Sequence, residues 1–133
     1  MKRNLGIILL LLIAVSGFAQ HKIVFQLATD LEKEQSSLPR QLNNVLNYWP
    51  DADIEVVVHS AALDFMIKEK SIAKDEIAAL MQRGVKFAVC RNTMERRKVT
   101  EAEIIDGALI VPVGIAEIVE KQEAGYSYIK GGY

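Results

Sequence analysis

Four short apolar runs, each followed by a stretch with helical spacing, constrain the fold of this chain more than any other feature. Lys22 to Ala28 reads KIVFQLA, Ile54 to His59 reads IEVVVH, Val85 to Cys90 reads VKFAVC and Ala108 to Val113 reads ALIVPV. Runs this short, rich in β-branched residues and bounded by polar or turn residues, suit strands buried on both faces, as in a parallel sheet. Thr29 to Ser37 is polar and reads as a loop. Leu38, Leu42, Val45, Leu46 and Trp49 then recur at helical spacing, with Ser37 as cap, Pro39 in the first turn and Pro50 as the stop. Ala61 to Ile67 reads as a short helical turn. Ile72, Ile77, Leu80 and Met81 mark a second helix, with Gly84 placed to end it. Asn92 to Lys98 is a short basic helix or turn, and Thr100 with Glu103 has the spacing of a capping box. Gly114 opens a helix carrying Ile115, Ile118 and Val119, Gly125 closes it, and Tyr126 to Ile129 alternates as a fifth, edge strand.

Strands alternating with helices predict an α/β fold: a single-domain three-layer sandwich on a mostly parallel five-stranded sheet. The strand order expected at this length is the flavodoxin-like 2-1-3-4-5. Residues 20–133 form the one domain. Residues 1–19 read as a cleaved signal peptide: a basic start at Lys2-Arg3, an apolar stretch from Leu5 to Val15, and small residues before a cut after Ala19. The expected location is therefore periplasmic or secreted, with no membrane attachment after the cut. The apolar stretch is shorter than the roughly 20 residues a membrane span needs.

The net charge is −1, and losing Lys2 and Arg3 with the signal makes the remainder more acidic. That balance argues against a nucleic-acid partner or an anionic membrane held by bulk charge. No glycine-rich loop follows the first strand, where Ala28-Thr29-Asp30-Leu31-Glu32 contains no glycine, so nucleotide and flavin binding of the usual kinds are not expected. No histidine and cysteine spacing suggests zinc, so neither metal nor cofactor is expected. Cys90 is the only cysteine, which rules out an intramolecular disulfide and a Cys-x-x-Cys exchange centre.

An unpaired cysteine in an exported chain is a core filler, an intermolecular link or a reactive group. Cys90 ends the third strand, and ligands of open parallel sheets bind beyond the carboxyl ends of the strands, where the strand order reverses. In the expected order the first and third strands flank that reversal. A helix start just after Cys90 would favour the thiolate through exposed N–H groups, those of Asn92 and Thr93, with Arg91 adding charge. The opposing reading is that Cys90 simply packs, as free cysteines often do. His59 ends the second strand at the same edge and could bind a ligand or assist proton transfer. In the expected order it stands about 10 Å from Cys90, because the first strand intervenes, so a structural or interface role is expected of it.

Asp53 to His59, Gly84 to Thr93, Val111 to Ile118 and Gly125 to Lys130 together resemble the DsrE/DsrF-like family, across essentially the whole domain. The resemblance implies a small α/β domain that assembles into homo- or hetero-oligomers, commonly trimers or hexamers. It also implies sulfur carried as a persulfide on one cysteine after the third strand, a place Cys90 occupies. The function expected is an exported sulfur-trafficking protein that exchanges sulfane sulfur with a donor or acceptor protein or a small sulfur species. The alternative is a non-catalytic oligomeric module that binds a ligand or protein, with Cys90 structural.

Overall fold

The computed structural model describes residues 20–133; the expected signal peptide lies outside the described residues. Five strands form one sheet: β1 (Lys22–Leu27), β2 (Asp53–Val58), β3 (Lys86–Cys90), β4 (Leu109–Val111) and β5 (Ser127–Lys130). Four helices connect them: α1 (Glu32–Tyr48), α2 (Lys74–Gln82), α3 (Arg91–Arg96) and α4 (Gly114–Glu123), with 3-10 turns at Ser60–Met66 and Glu101–Glu103. All paired strands run parallel.

The strand order is β4-β3-β2-β1-β5, which corrects the expected 2-1-3-4-5. The physical reason lies in β2. The 2-1-3-4-5 arrangement would leave this strand at an edge, yet Ile54 to Val58 is buried along its whole length, as a central strand must be. From β1 to β4 the chain advances in one direction. Right-handed crossovers then keep the intervening helices on one face, and the return from β4 to the far side of β1 puts α4 on the other.

The two faces are unequal. Leu38, Leu42 and Leu46 of α1 and Ile77 and Leu80 of α2 pack on Phe25, Val56, Val58, Phe87 and Val89 in the larger core. The apolar cluster on the opposite face is smaller, with Val24, Val57, Ala88, Val111 and Ile118. The sole helix over that face is α4, which itself exposes Ile115 and Val119, while Leu109 and Val113 before it are exposed as well.

Helix α1 begins at Glu32, well before the cap expected at Ser37. Glu32 and Glu34 occupy its first turn, where negative charge is favoured, and the Gln35 side chain donates to the Thr29 carbonyl at 2.9 Å. Pro39 therefore lies inside the helix. The Ser37 hydroxyl turns back to donate to the Glu34 carbonyl at 2.9 Å rather than capping. The capping box at Thr100 and Glu103 forms as the spacing predicts. No helix among the described residues is long and apolar enough to cross a membrane.

Candidate functional site

Side chains alternate between faces along a strand, so Gln26 shares the α4 face with Val24, His59 with Val57, and Cys90 with Ala88. Val58 pairs with Val89, which places His59 and Cys90 side by side just past the ends of adjacent strands. The separation of about 10 Å expected from the assumed strand order does not exist, because no strand lies between them. Tyr128 pairs in register with Val24 and brings a fourth strand to the same face.

Cys90 is a free thiol, only 5% exposed, at the cap position of α3. The Gly114 amide donates to its Sγ at 3.2 Å across the sheet end. The backbone amides of Asn92 and Thr93 and the Thr93 hydroxyl lie close enough to act on the sulfur as further donors, while Gly114 makes the one bond of full hydrogen-bond geometry. The Asn92 N–H itself bonds to the Pro112 carbonyl, 3.3 Å away. Burial pushes the thiol pKa up, but these hydrogen bonds outweigh it and hold Cys90 below the ordinary thiol value.

The Thr93 hydroxyl is itself oriented. It accepts the Ser60 N–H at 3.0 Å, which leaves its own hydrogen free for the sulfur. Ser60 holds a left-handed backbone (φ 55°), uncommon for a residue with a side chain, and this turns its N–H toward Thr93. His59 is buried, with Nε2 2.8 Å from Gln26 Nε2 and Nδ1 2.8 Å from Ser60 Oγ. Burial lowers its pKa, so the ring is neutral around pH 7.

Of the residues singled out from sequence, Cys90, Thr93, His59 and the Asn92 amide converge. Arg91 does not join them: its guanidinium pairs with Glu101 at 2.6 Å on the surface. Sequence reasoning missed Gly114, Gln26 and Tyr128. For Gln26 a signal existed, since it is the one polar residue between Ile23 and Leu27 of the first strand. In sequence Gly114 marks only a helix start, although a Cβ there would lie 3.1 Å from Cys90 Cβ, 3.2 Å from His59 Cβ and 3.3 Å from Val57 Cγ1. The reversal of strand order falls between β1 and β5, not beside β3. A groove of about 380 Å³ opens at that reversal, lined by Gln26, Ala28, Thr29, Glu34, Lys130 and Gly131.

Fold and site together define a parallel α/β domain with one donor-ringed cysteine at the end of a central strand. The DsrE/DsrF-like family model matches residues 21–130, and the chain belongs to that family. Among solved structures it is similar to MTH1491 from Methanobacterium thermoautotrophicum, described as a protein of unknown function. That likeness has 25% identity and a TM-score of 0.80, over 84% of this chain and 99% of that one. It is also similar in fold to the ychN protein from E. coli (13% identity, TM-score 0.66, 84% of this chain and 97% of that one). A third likeness is to BT1422, a conserved protein of unknown function from Bacteroides thetaiotaomicron (17% identity, TM-score 0.62, 82% and 93%). No curated protein matches the chain.

Proposed function

We propose that this protein is an exported sulfur carrier that holds sulfane sulfur as a persulfide on Cys90. The observation that carries the reading is the convergence of the Gly114, Asn92 and Thr93 amides and the Thr93 hydroxyl on one sulfur. A thiol that merely fills space needs no donors aimed at it. In loading, the Cys90 thiolate attacks the outer sulfur of a donor persulfide, forming the Cys90 S–S bond as the donor leaves as a thiolate. In unloading, an acceptor thiolate attacks that same outer sulfur and Cys90 departs as the thiolate. No electrons are gained or lost overall, and the leaving group in the second step is the anion the four donors stabilise. Thiols of lower pKa leave faster, so one set of hydrogen bonds assists both steps.

His59 lies at the edge of this site and shapes it through Ser60, while Arg91, paired with Glu101, takes no part in it. Treating the purified protein with polysulfide is expected to add sulfur mass at Cys90 and nowhere else, with Cys90→Ser gaining none. Equal behaviour of the two proteins would remove the carrier reading. The alternative, a binding module with a packed cysteine, draws on the burial of Cys90. It predicts slow reaction with a small thiol probe, limited by opening of the fold.

The exposed apolar side chains of Ile115 and Val119, one turn apart on α4, support assembly of copies into a trimer or hexamer. Light scattering that returned a monomer at micromolar concentration would exclude this assembly. Export rests on residues 1–19 and is checked by finding Gln20 at the amino terminus of protein recovered from outside the cytoplasm.

A further inference from the structure

A line of hydrogen bonds runs across four strand ends, from β5 through β1 and β2 to β3, and each bond constrains the next. The Tyr128 hydroxyl bonds to Gln26 Oε1, which can only accept, so the hydroxyl donates. The Gln26 amide is thereby oriented with Nε2 toward His59 Nε2, 2.8 Å away. An amide nitrogen can only donate, so His59 Nε2 must be the unprotonated acceptor. A neutral ring with no hydrogen on Nε2 carries it on Nδ1, which then donates to Ser60 Oγ at 2.8 Å. The Ser60 N–H continues to Thr93 Oγ1 at 3.0 Å, and the Thr93 hydroxyl lies beside the sulfur, where it lowers the thiol pKa.

We infer that Tyr128 and Gln26 are positioning residues that fix His59 as the neutral Nδ1–H tautomer, so that every donated hydrogen between β5 and β3 points toward Cys90. The line is continuous except at Ser60, where it passes from side chain to backbone within one residue. The left-handed turn at Ser60 places these two groups on opposite partners. Both ring nitrogens are occupied, one by Gln26 and one by Ser60. The imidazole is therefore a spacer between them and not an acid or base for the sulfur. The Gln26 end of the line borders the groove at the β1–β5 reversal. Neighbouring bonds from Tyr128 to Ser60 Oγ polarise one another, and the turn at Ser60 links that stretch to Thr93 by position alone.

The inference gives the carrier site its positioning residues and to that extent rests on the carrier reading, but its test reads the ring directly. Long-range proton–nitrogen correlation on the 15N-labelled protein at neutral pH is expected to show His59 with a protonated Nδ1 and a bare Nε2. Gln26→Glu replaces the donor by a carboxylate, which only accepts, so the hydrogen moves to Nε2 and the two nitrogen shifts exchange. Tyr128→Phe, a milder change at an exposed position, releases the amide and is expected to give a mixture of the two forms. A wild-type ring protonated on Nε2, or a ring unmoved by both substitutions, overturns the inference. Sulfur loading is read separately by mass. A protein with the stated tautomer that takes up no sulfur overturns the carrier reading and leaves the assignment of Tyr128 and Gln26 standing.

Discussion

Replacing Lys121 by methionine is expected to destabilise the domain by about 3 kcal/mol, the largest stability effect available from one side chain outside the hydrophobic core. Glu55 sits in the middle of β2, facing α4 and only 1% exposed, with Oε1 lacking any hydrogen-bond partner among the described residues. Lys121 of α4 is the cation that compensates it, 2.8 Å from Oε2, and it also lies 3.7 Å from Glu117. Burial opposes the charge on Lys121, yet the Glu55 carboxylate beside it holds its pKa above the ordinary lysine value. Burial and then the neighbouring Glu55 carboxylate push the Glu117 carboxyl up.

Removing the ammonium leaves a carboxylate buried against a sheet face that α4 alone covers, and an unpaired buried charge costs more than the pair contributes. Adding Glu55→Gln to Lys121→Met should restore most of the loss, because a neutral amide needs no counter-charge. Urea unfolding of the two single variants and the double variant measures this directly. A loss below 1 kcal/mol for Lys121→Met, or no recovery in the double variant, would show that the pair is not what anchors α4.

Gly114→Ala is expected to cost about 1 to 3 kcal/mol and, more tellingly, to raise the Cys90 pKa. The added methyl would meet Cys90 Cβ, His59 Cβ and Val57 Cγ1 between 3.1 and 3.3 Å, and all three belong to strand-end residues that have little room to move. Relief comes from shifting the start of α4 outward. That shift withdraws the Gly114 N–H from the sulfur and weakens the bond now at 3.2 Å. Burial of the thiol remains while one of the donors opposing it is lost, so the pKa moves up toward the value of a free thiol. The reaction of Cys90 with a small alkylating reagent should slow near neutral pH by about the factor that the thiolate fraction falls. Unchanged reactivity alongside reduced stability would separate packing from chemistry at Gly114 and assign it the first alone.

The parallel sheet was legible because Val, Ile and Phe fill both faces of short strands, and that pattern has few other uses. Strand order was not. Period-two and period-3.6 patterns say which elements exist, whereas order is decided by which strands are buried on both faces once helices are distributed. The three consecutive valines Val56 to Val58 held a usable hint, since an edge strand has no need to bury every residue. The site inherited that error. With β1 placed between β2 and β3, His59 stood apart from Cys90; with the observed order they are neighbours.

Thr93 and Cys90 were visible from their place after an apolar strand. Arg91 was expected beside the sulfur on proximity in sequence, but Glu101 draws its guanidinium to the surface. Gln26 and Tyr128 could not be joined to the site from sequence, because the bonds linking them to His59 cross strands far apart in the chain. Glu55 was hidden inside IEVVVH as one charged residue in an apolar strand, and only the position of Lys121 on α4 explains how it is tolerated.

The central claim is that the sulfur of Cys90 is held as an anion by neutral hydrogen-bond donors, and its most direct test is the pH dependence of Cys90 alkylation in the native protein. Rate follows the thiolate fraction, so a pKa below the ordinary thiol value makes the rate reach its plateau at a lower pH than a free cysteine does under the same conditions. The account predicts that lower inflection in the wild-type protein and its upward movement in Gly114→Ala. An inflection at or above that of free cysteine would contradict it.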